Sequence, residues 1–235
     1  MKSLSRRTSF VAALLLACAP AAQAQALDPS GHWQGAIEVP GREVAFQIDL
    51  VRIGSGELTG TISVADASGI PLGKVAVQER SILFYGRSDQ PFSGTLSEDG
   101  KAMSGNAMLS GYSLPFAMQW TGEARLDPPV VGEAVGKELE GTWSGTLHVN
   151  GSSQRAVLTV MNQPDGKSIG RIVSVDEGGL ILPVVVAQSG SRVNIEQKGV
   201  AGSYAGTLNA DGTELTGTFT QHGISVPLTF TRVAK

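Results

Sequence analysis

Single apolar and polar residues alternate along most of this chain. "REVAFQIDLV" (Arg42 to Val51) sets Val44, Phe46, Ile48 and Leu50 on one side, with Glu43, Gln47 and Asp49 on the other. "ISVPLTFTR" (Ile224 to Arg232) sets Ile224, Val226, Leu228, Phe230 and Arg232 on one side. A period of two with one apolar side predicts antiparallel strands, one face on a core and the other in water. "EDG" (Glu98 to Gly100) and "ADG" (Ala210 to Gly212) supply hairpin turns, glycine taking the positive φ such turns need. No segment beyond the first 26 residues shows a capped period of 3.6. The expectation is an all-β protein.

The pattern is written twice. "GHWQGAIEV" (Gly31 to Val39) returns as "GTWSGTLHV" (Gly141 to Val149), an offset of 110 that still holds where Gly60 matches Gly170. After an insertion of two residues, "FSGTLSEDG" (Phe92 to Gly100) matches "YAGTLNADG" (Tyr204 to Gly212), and Pro115 matches Pro227. Each copy spans about 90 residues, the size of one small domain. The expected organisation is a leader over 1–26, a first repeat over 27–125, a linker over 126–138 and a second repeat over 139–235. Each repeat should hold about eight short strands, at the spacing of a sandwich or barrel. Gly35, Gly60, Gly94 and Gly105 fall on the apolar side of their strands, as do Gly145, Gly170, Gly206 and Gly217. Glycine weakens a strand unless curvature or a packed ring needs the space, and both needs arise in a small up-and-down barrel with Trp33 or Trp143 inside. The other reading is that these glycines open a ligand cavity.

Lys2, Arg6 and Arg7 followed by "FVAALLLACAP" and by Ala-x-Ala sites ending at Ala24 and Ala26 read as an export signal. The only cysteine, Cys18, lies inside it. Cleavage after Ala24 or Ala26 would discard Cys18 and leave a protein without thiol, disulfide or cysteine metal site, in the periplasm or the medium. Read as a lipobox, "LLAC" would instead make Cys18 an acylated first residue and put the protein on a membrane. Without the leader, 15 basic and 21 acidic residues leave a formal charge of −6. With no basic cluster, such a surface excludes nucleic acid as a natural partner.

Gly-x-Trp on the first strand, a small antiparallel barrel and an arginine on the last strand resemble the calycin architecture of lipocalins and avidins. That resemblance implies a tryptophan at one barrel end covered by the arginine: Trp143 with Arg232 in the second copy. The first copy keeps Trp33 and has Trp120 in the arginine's place, so a Trp–Trp contact would replace the cation–π contact. These four residues are the expected barrel-closing set. The second copy also resembles a small β module that precedes the catalytic domain of many secreted bacterial α/β-hydrolases, through "GTWSG", "DEGGLILP", "YAGTL", "GTFTQHG" and "PLTFTR". The first copy departs from it at "LSG" and at Trp120.

Candidate chemistry is sparse. No nucleophile elbow is expected: "GSYAG" carries Tyr204 where a nucleophile would stand. His32, His148 and His222 are scattered and expected at the surface, without metal-ligand spacing. Asp176 and Glu177 lack the alternating oxygen donors of a calcium loop, and with Asp66 they read as turn residues. Thr59, Thr61 and Ser63, and Thr216, Thr218 and Thr220, form uncharged outer ladders that could meet a sister barrel or a partner. No cofactor is implied. The readings left are an exported, non-catalytic binding or interaction module of the bacterial envelope, a carrier of a small apolar ligand in a barrel cavity, and an accessory protein of a secreted hydrolase. A cavity of several hundred cubic ångströms at a barrel mouth would favour the carrier.

Overall fold

The computed structural model describes residues 27–149 and 151–234. The leader, its cleavage sites and Cys18 lie outside the described residues. Within them the protein is all-β, and every strand pairing is antiparallel. The first half runs β1 (Gly31–Val39), β2 (Arg42–Arg52), β3 (Leu58–Val64), β4 (Ala67–Pro71), β5 (Val75–Gln78), β6 (Ser81–Arg87), β7 (Gln90–Leu96), β8 (Ala102–Leu109) and β9 (Tyr112–Gly122). The second runs β10 (Gly132–Glu133), β11 (Gly141–Val149), β12 (Ser152–Asn162), β13 (Lys167–Ser174), β14 (Leu180–Ser189), β15 (Arg192–Gln197), β16 (Gly202–Leu208), β17 (Glu214–Gln221) and β18 (Ile224–Arg232). A single 3₁₀ turn, Lys198–Val200, joins β15 to β16.

The halves close differently. In the second, β14 pairs with both β13 and β15, completing an eight-stranded barrel over β11 to β18, with β10 added to the end of β13. In the first, the sheet curls but ends at β4 and β5, which pair with β3 and β6 and not with each other. Those two short strands correspond to the single β14. Three consecutive valines, Val184 to Val186, carry β14 through its middle, where the first half has Leu72-Gly73-Lys74. Branched side chains hold extended backbone against neighbours; glycine and lysine do so poorly. The chain breaks there: the Leu72 N–H donates to Gly60 O on β3, and the Gly73 N–H turns to Tyr85 O on β6.

Each half has its own core. Phe46, Phe84, Phe92 and Phe116 interlock in the first, with Phe84 and Phe92 stacked at 4.7 Å between ring centres. The second core is aliphatic around Tyr204 and Phe230, whose rings meet edge to face at 5.5 Å. The inward glycines serve this packing. A Cβ on Gly105 would strike Ser93 O and the Gly94 Cα, and one on Gly217 would strike Ala205 O and the Gly206 Cα. We expect Gly105→Ala and Gly217→Ala each to lower stability by about 1–3 kcal/mol in denaturant unfolding, since an added methyl meets backbone that cannot yield. Gly54, with nothing near its would-be Cβ, is the control: Gly54→Ala should stay within about 0.5 kcal/mol.

The arrangement is two-domain-like, and the two sheets touch. Leu182 of β14 is buried in the first core, with Leu180 and Val200 packed beside it. The Ser88 N–H and hydroxyl both donate to Gly178 O, at 2.9 and 2.5 Å. Gly199 lies against Ser68 O and Ile70, where a Cβ would not fit.

Candidate functional site: the barrel ends

At one end of each half a tryptophan is fully buried. The Trp33 Nε1–H donates to Pro29 O at 2.8 Å, and the Trp143 Nε1–H to Leu139 O at 3.0 Å, in both cases four residues back along the chain. Across the ladder Trp33 faces Trp120, and Trp143 faces Arg232. The Arg232 guanidinium lies 4.2 Å from the centre of the Trp143 ring. It donates to Gly212 O at 2.7 Å, to Glu140 O at 2.6 Å and to Glu138 O. In the first half, Trp120 does not replace the cation as a ring on Trp33. Its ring lies over Gly31, its Nε1–H donates to Ser30 O at 3.2 Å, and Lys101 sits 3.2 Å above it.

The Gly-x-Trp pattern acquires a reason here. Gly31 has φ +141° and Gly141 has φ +127°, and at each the space of a Cβ is taken by the covering group, Trp120 or Arg232. A side chain at either position would be strained and would push the cover off.

The opposite ends open towards each other. The mouth of the curled first half-barrel holds a cavity of about 380 Å³, lined by apolar residues of β1 to β4 such as Ile37, Val44, Phe46 and Ile62, and by Leu180 and Val200 of the second half. The second barrel's mouth holds about 170 Å³ over Tyr204, Phe219 and Leu228, rimmed by Gln154, Glu177, Gln197 and Gln221; Leu180 and Val200 line this cavity too. The Tyr204 hydroxyl donates to Leu215 O at 2.9 Å and to Leu228 O at 3.2 Å, and burial pushes its pKa well above the ordinary value. The matching residue in the first half is Phe92, which has no hydroxyl to satisfy.

One of the three histidines departs from the surface placement expected of them. His32 is no surface residue: it is 2% exposed, and its Nδ1 lies 2.8 Å from Asp49 Oδ1. Asp49, read from the alternation as water-facing, is 8% exposed, because the segment after β9 crosses β2 there and the Arg125 N–H donates to the same oxygen at 2.6 Å. The His32 Nε2 faces the Gln34 amide at 3.1 Å, so its hydrogen-bond partner among the described residues is an amide and not a hydroxyl. His222 is exposed and meets Asp66 of the other half at 3.0 Å. His148 is exposed beside Ser153. Asp176 is tied to Arg155, whose N–H and guanidinium donate to it at 2.7 and 2.6 Å; the guanidinium bonds hold its carboxyl below the usual range. These carboxylates serve ion pairs and turns.

Alternation hid Asp49 because the covering connector has no period of its own. Gln197, by contrast, carried a signal that went unused. It continues the inward side of Val193 and Ile195 on β15, a polar residue on a core parity. Nothing in either repeat signals Leu180 or Val200, whose place comes from the packing of one barrel on the other.

No protein-family model and no curated protein matches the sequence. Among solved structures, the chain is similar to a protein of unknown function from the DUF3598 family of Nostoc punctiforme. Identity is 12%, over 87% of this chain and 96% of that one, with a TM-score of 0.27. It is also similar to the Burkholderia oklahomensis agglutinin, at 11% identity over 91% of this chain and 99% of that one, with a TM-score of 0.22.

Proposed function

We propose that the protein is an exported, non-catalytic binding module that holds a small apolar molecule in the mouth of its first, half-closed barrel. The observation that carries this reading is the apolar cavity of about 380 Å³ there, within the size range of small-molecule sites. The inner wall suits hydrocarbon, and the polar residues lining it, Arg87, Gln90 and Ser110, could meet a ligand's polar head. Arg87 is already paired with Asp89 at 3.1 Å, so a charged ligand head is not required. Leu180 and Val200 form part of the wall, which makes the second half a component of the site. A closed tryptophan end with an open apolar mouth accords with the calycin resemblance, and export accords with the hydrolase-associated module; both belong to this proposal.

The test is a titration with N-phenyl-1-naphthylamine, an uncharged dye whose fluorescence rises in apolar surroundings. Micromolar binding is expected. Ala67 lines the cavity, and Ala67→Phe should fill it and weaken binding at least tenfold while leaving the thermal midpoint in place. Absent binding, or equal binding by the variant, would sink the reading. The export half is checked by mass spectrometry of the natural product, which should begin at Gln25 or Leu27; acylation at Cys18 would put the protein on a membrane instead.

A further inference from the structure

We infer that the mouth of the second barrel is a separate site for an uncharged, single-ring molecule bearing an amide edge, read by Gln197. This site goes beyond the one proposed in the first barrel and does not depend on it.

Gln197 ends β15 pointing inward and is 6% exposed. The two other amides at the mouth are engaged: that of Gln221 donates to Val200 O at 2.9 Å, and that of Gln154 to Glu177 Oε1 at 3.4 Å. Among the described residues the Gln197 amide has no hydrogen-bond partner, yet every fully sealed side-chain polar atom there has one. The unpaired amide therefore keeps access to the cavity it lines. A buried amide left unsatisfied is costly, and a site built around one rewards a ligand that completes it.

The fold makes room for this amide. Gly202 is its partner across β15 and β16, and a Cβ there would collide with Gln197 Oε1 and press on Phe219 at 3.3 Å. The absent side chain is what lets the amide lie in the mouth.

The cavity's chemistry narrows the ligand. Its floor is apolar and aromatic, and the Tyr204 hydroxyl is already bonded to two backbone carbonyls, so Tyr204 offers a ring face and no free donor. Glu177 is the one charged group lining it, so anions are repelled. A dry cavity of about 150 Å³ accepts benzene, so the 170 Å³ here suits one ring with one substituent. An amide presents both a donor and an acceptor, and its best complement is another amide.

The experiment follows side-chain and backbone NMR shifts of Gln197, Ile195 and Tyr204 in the full chain. The probes are benzamide, benzoate and toluene, alike in size and different at the edge. Benzamide should shift the Gln197 side-chain NH₂ resonances and bind at least tenfold more tightly than either of the others. Gln197→Leu should erase that preference, leaving toluene binding and N-phenyl-1-naphthylamine binding at the first barrel unchanged. Gly202→Ala, which displaces the amide without removing it, should also reduce benzamide affinity at least tenfold, and it keeps the test alive if Gln197→Leu does not fold. Overturning results are no benzamide shift at millimolar concentration, equal affinity for the three probes, or a benzamide preference that survives both substitutions. Loss of dye binding alone would strike the first-barrel reading and leave this one standing.

Discussion

Arg232→Ala should lower the stability of the second barrel by about 3 kcal/mol, from the lost cation–π contact and from carbonyls that lose a charged donor. The guanidinium gathers three backbone oxygens, those of Glu138, Glu140 and Gly212, under one planar group that also roofs Trp143. It thereby ties the last strand to the connector before β11 and to the turn before β17. Arg232→Lys should recover less than half of the loss, because an ammonium cannot direct donors to three separated carbonyls while lying flat on a ring. Hydrogen exchange gives the readout by residue. Protection should fall along β11, β12 and β18 and stay unchanged in β1 to β9. Uniform loss through both halves would mean that the barrels unfold as one unit; no loss anywhere would mean that Arg232 closes nothing. The first half offers an internal comparison. Lys101 over Trp120 is exposed and adds a single cation–π contact, so Lys101→Ala should cost no more than about 1 kcal/mol.

Alternation alone carried the fold a long way. The inward sets Val44, Phe46, Ile48 and Leu50, and Leu228 and Phe230, follow directly from period two, because a strand packed on one face has no other way to hide apolar side chains. The break between β4 and β5 was also present in the sequence, as Gly73 and Lys74 against Val185 and Val186, but it acquires meaning only once the two copies are compared at the level of closure. The cavities were beyond such reading. The first half's cavity takes Leu180 and Val200 from the second half, and a pattern internal to each repeat says nothing about how the repeats dock. The inward glycines illustrate the same limit from the other side. A missing Cβ can mean tight packing or open space, and only the neighbouring backbone decides: at Gly105 and Gly217 it is tight, and at Gly202 the space is filled by a polar amide.

The connector between the halves supplies the other large effect. Asp49→Ala should destabilise the protein by about 3 kcal/mol, since removing one partner of a buried pair leaves the other without its hydrogen bond and out of water. Asp49 Oδ1 holds the His32 ring at 2.8 Å and the Arg125 N–H at 2.6 Å, so one carboxylate fixes the start of β1 and the path of the chain leaving β9. The Thr121 hydroxyl donates to His32 O at 3.2 Å, adding a second tie between the same segments. Asp49→Asn keeps an acceptor of the same shape and should cost about 1–2 kcal/mol, the difference between a charged and a neutral hydrogen bond. His32→Leu removes the ring's donor and acceptor together; it should be milder than Asp49→Ala, because the carboxylate keeps the Arg125 N–H. Denaturant unfolding, with Trp33 and Trp120 as reporters in the first half, orders the three variants. Proteolysis between Thr121 and Glu140 should quicken in Asp49→Ala as the connector loosens. If Asp49→Ala and His32→Leu prove equally harmless, with the connector still protected, the pair is a passive contact and the latch lies elsewhere.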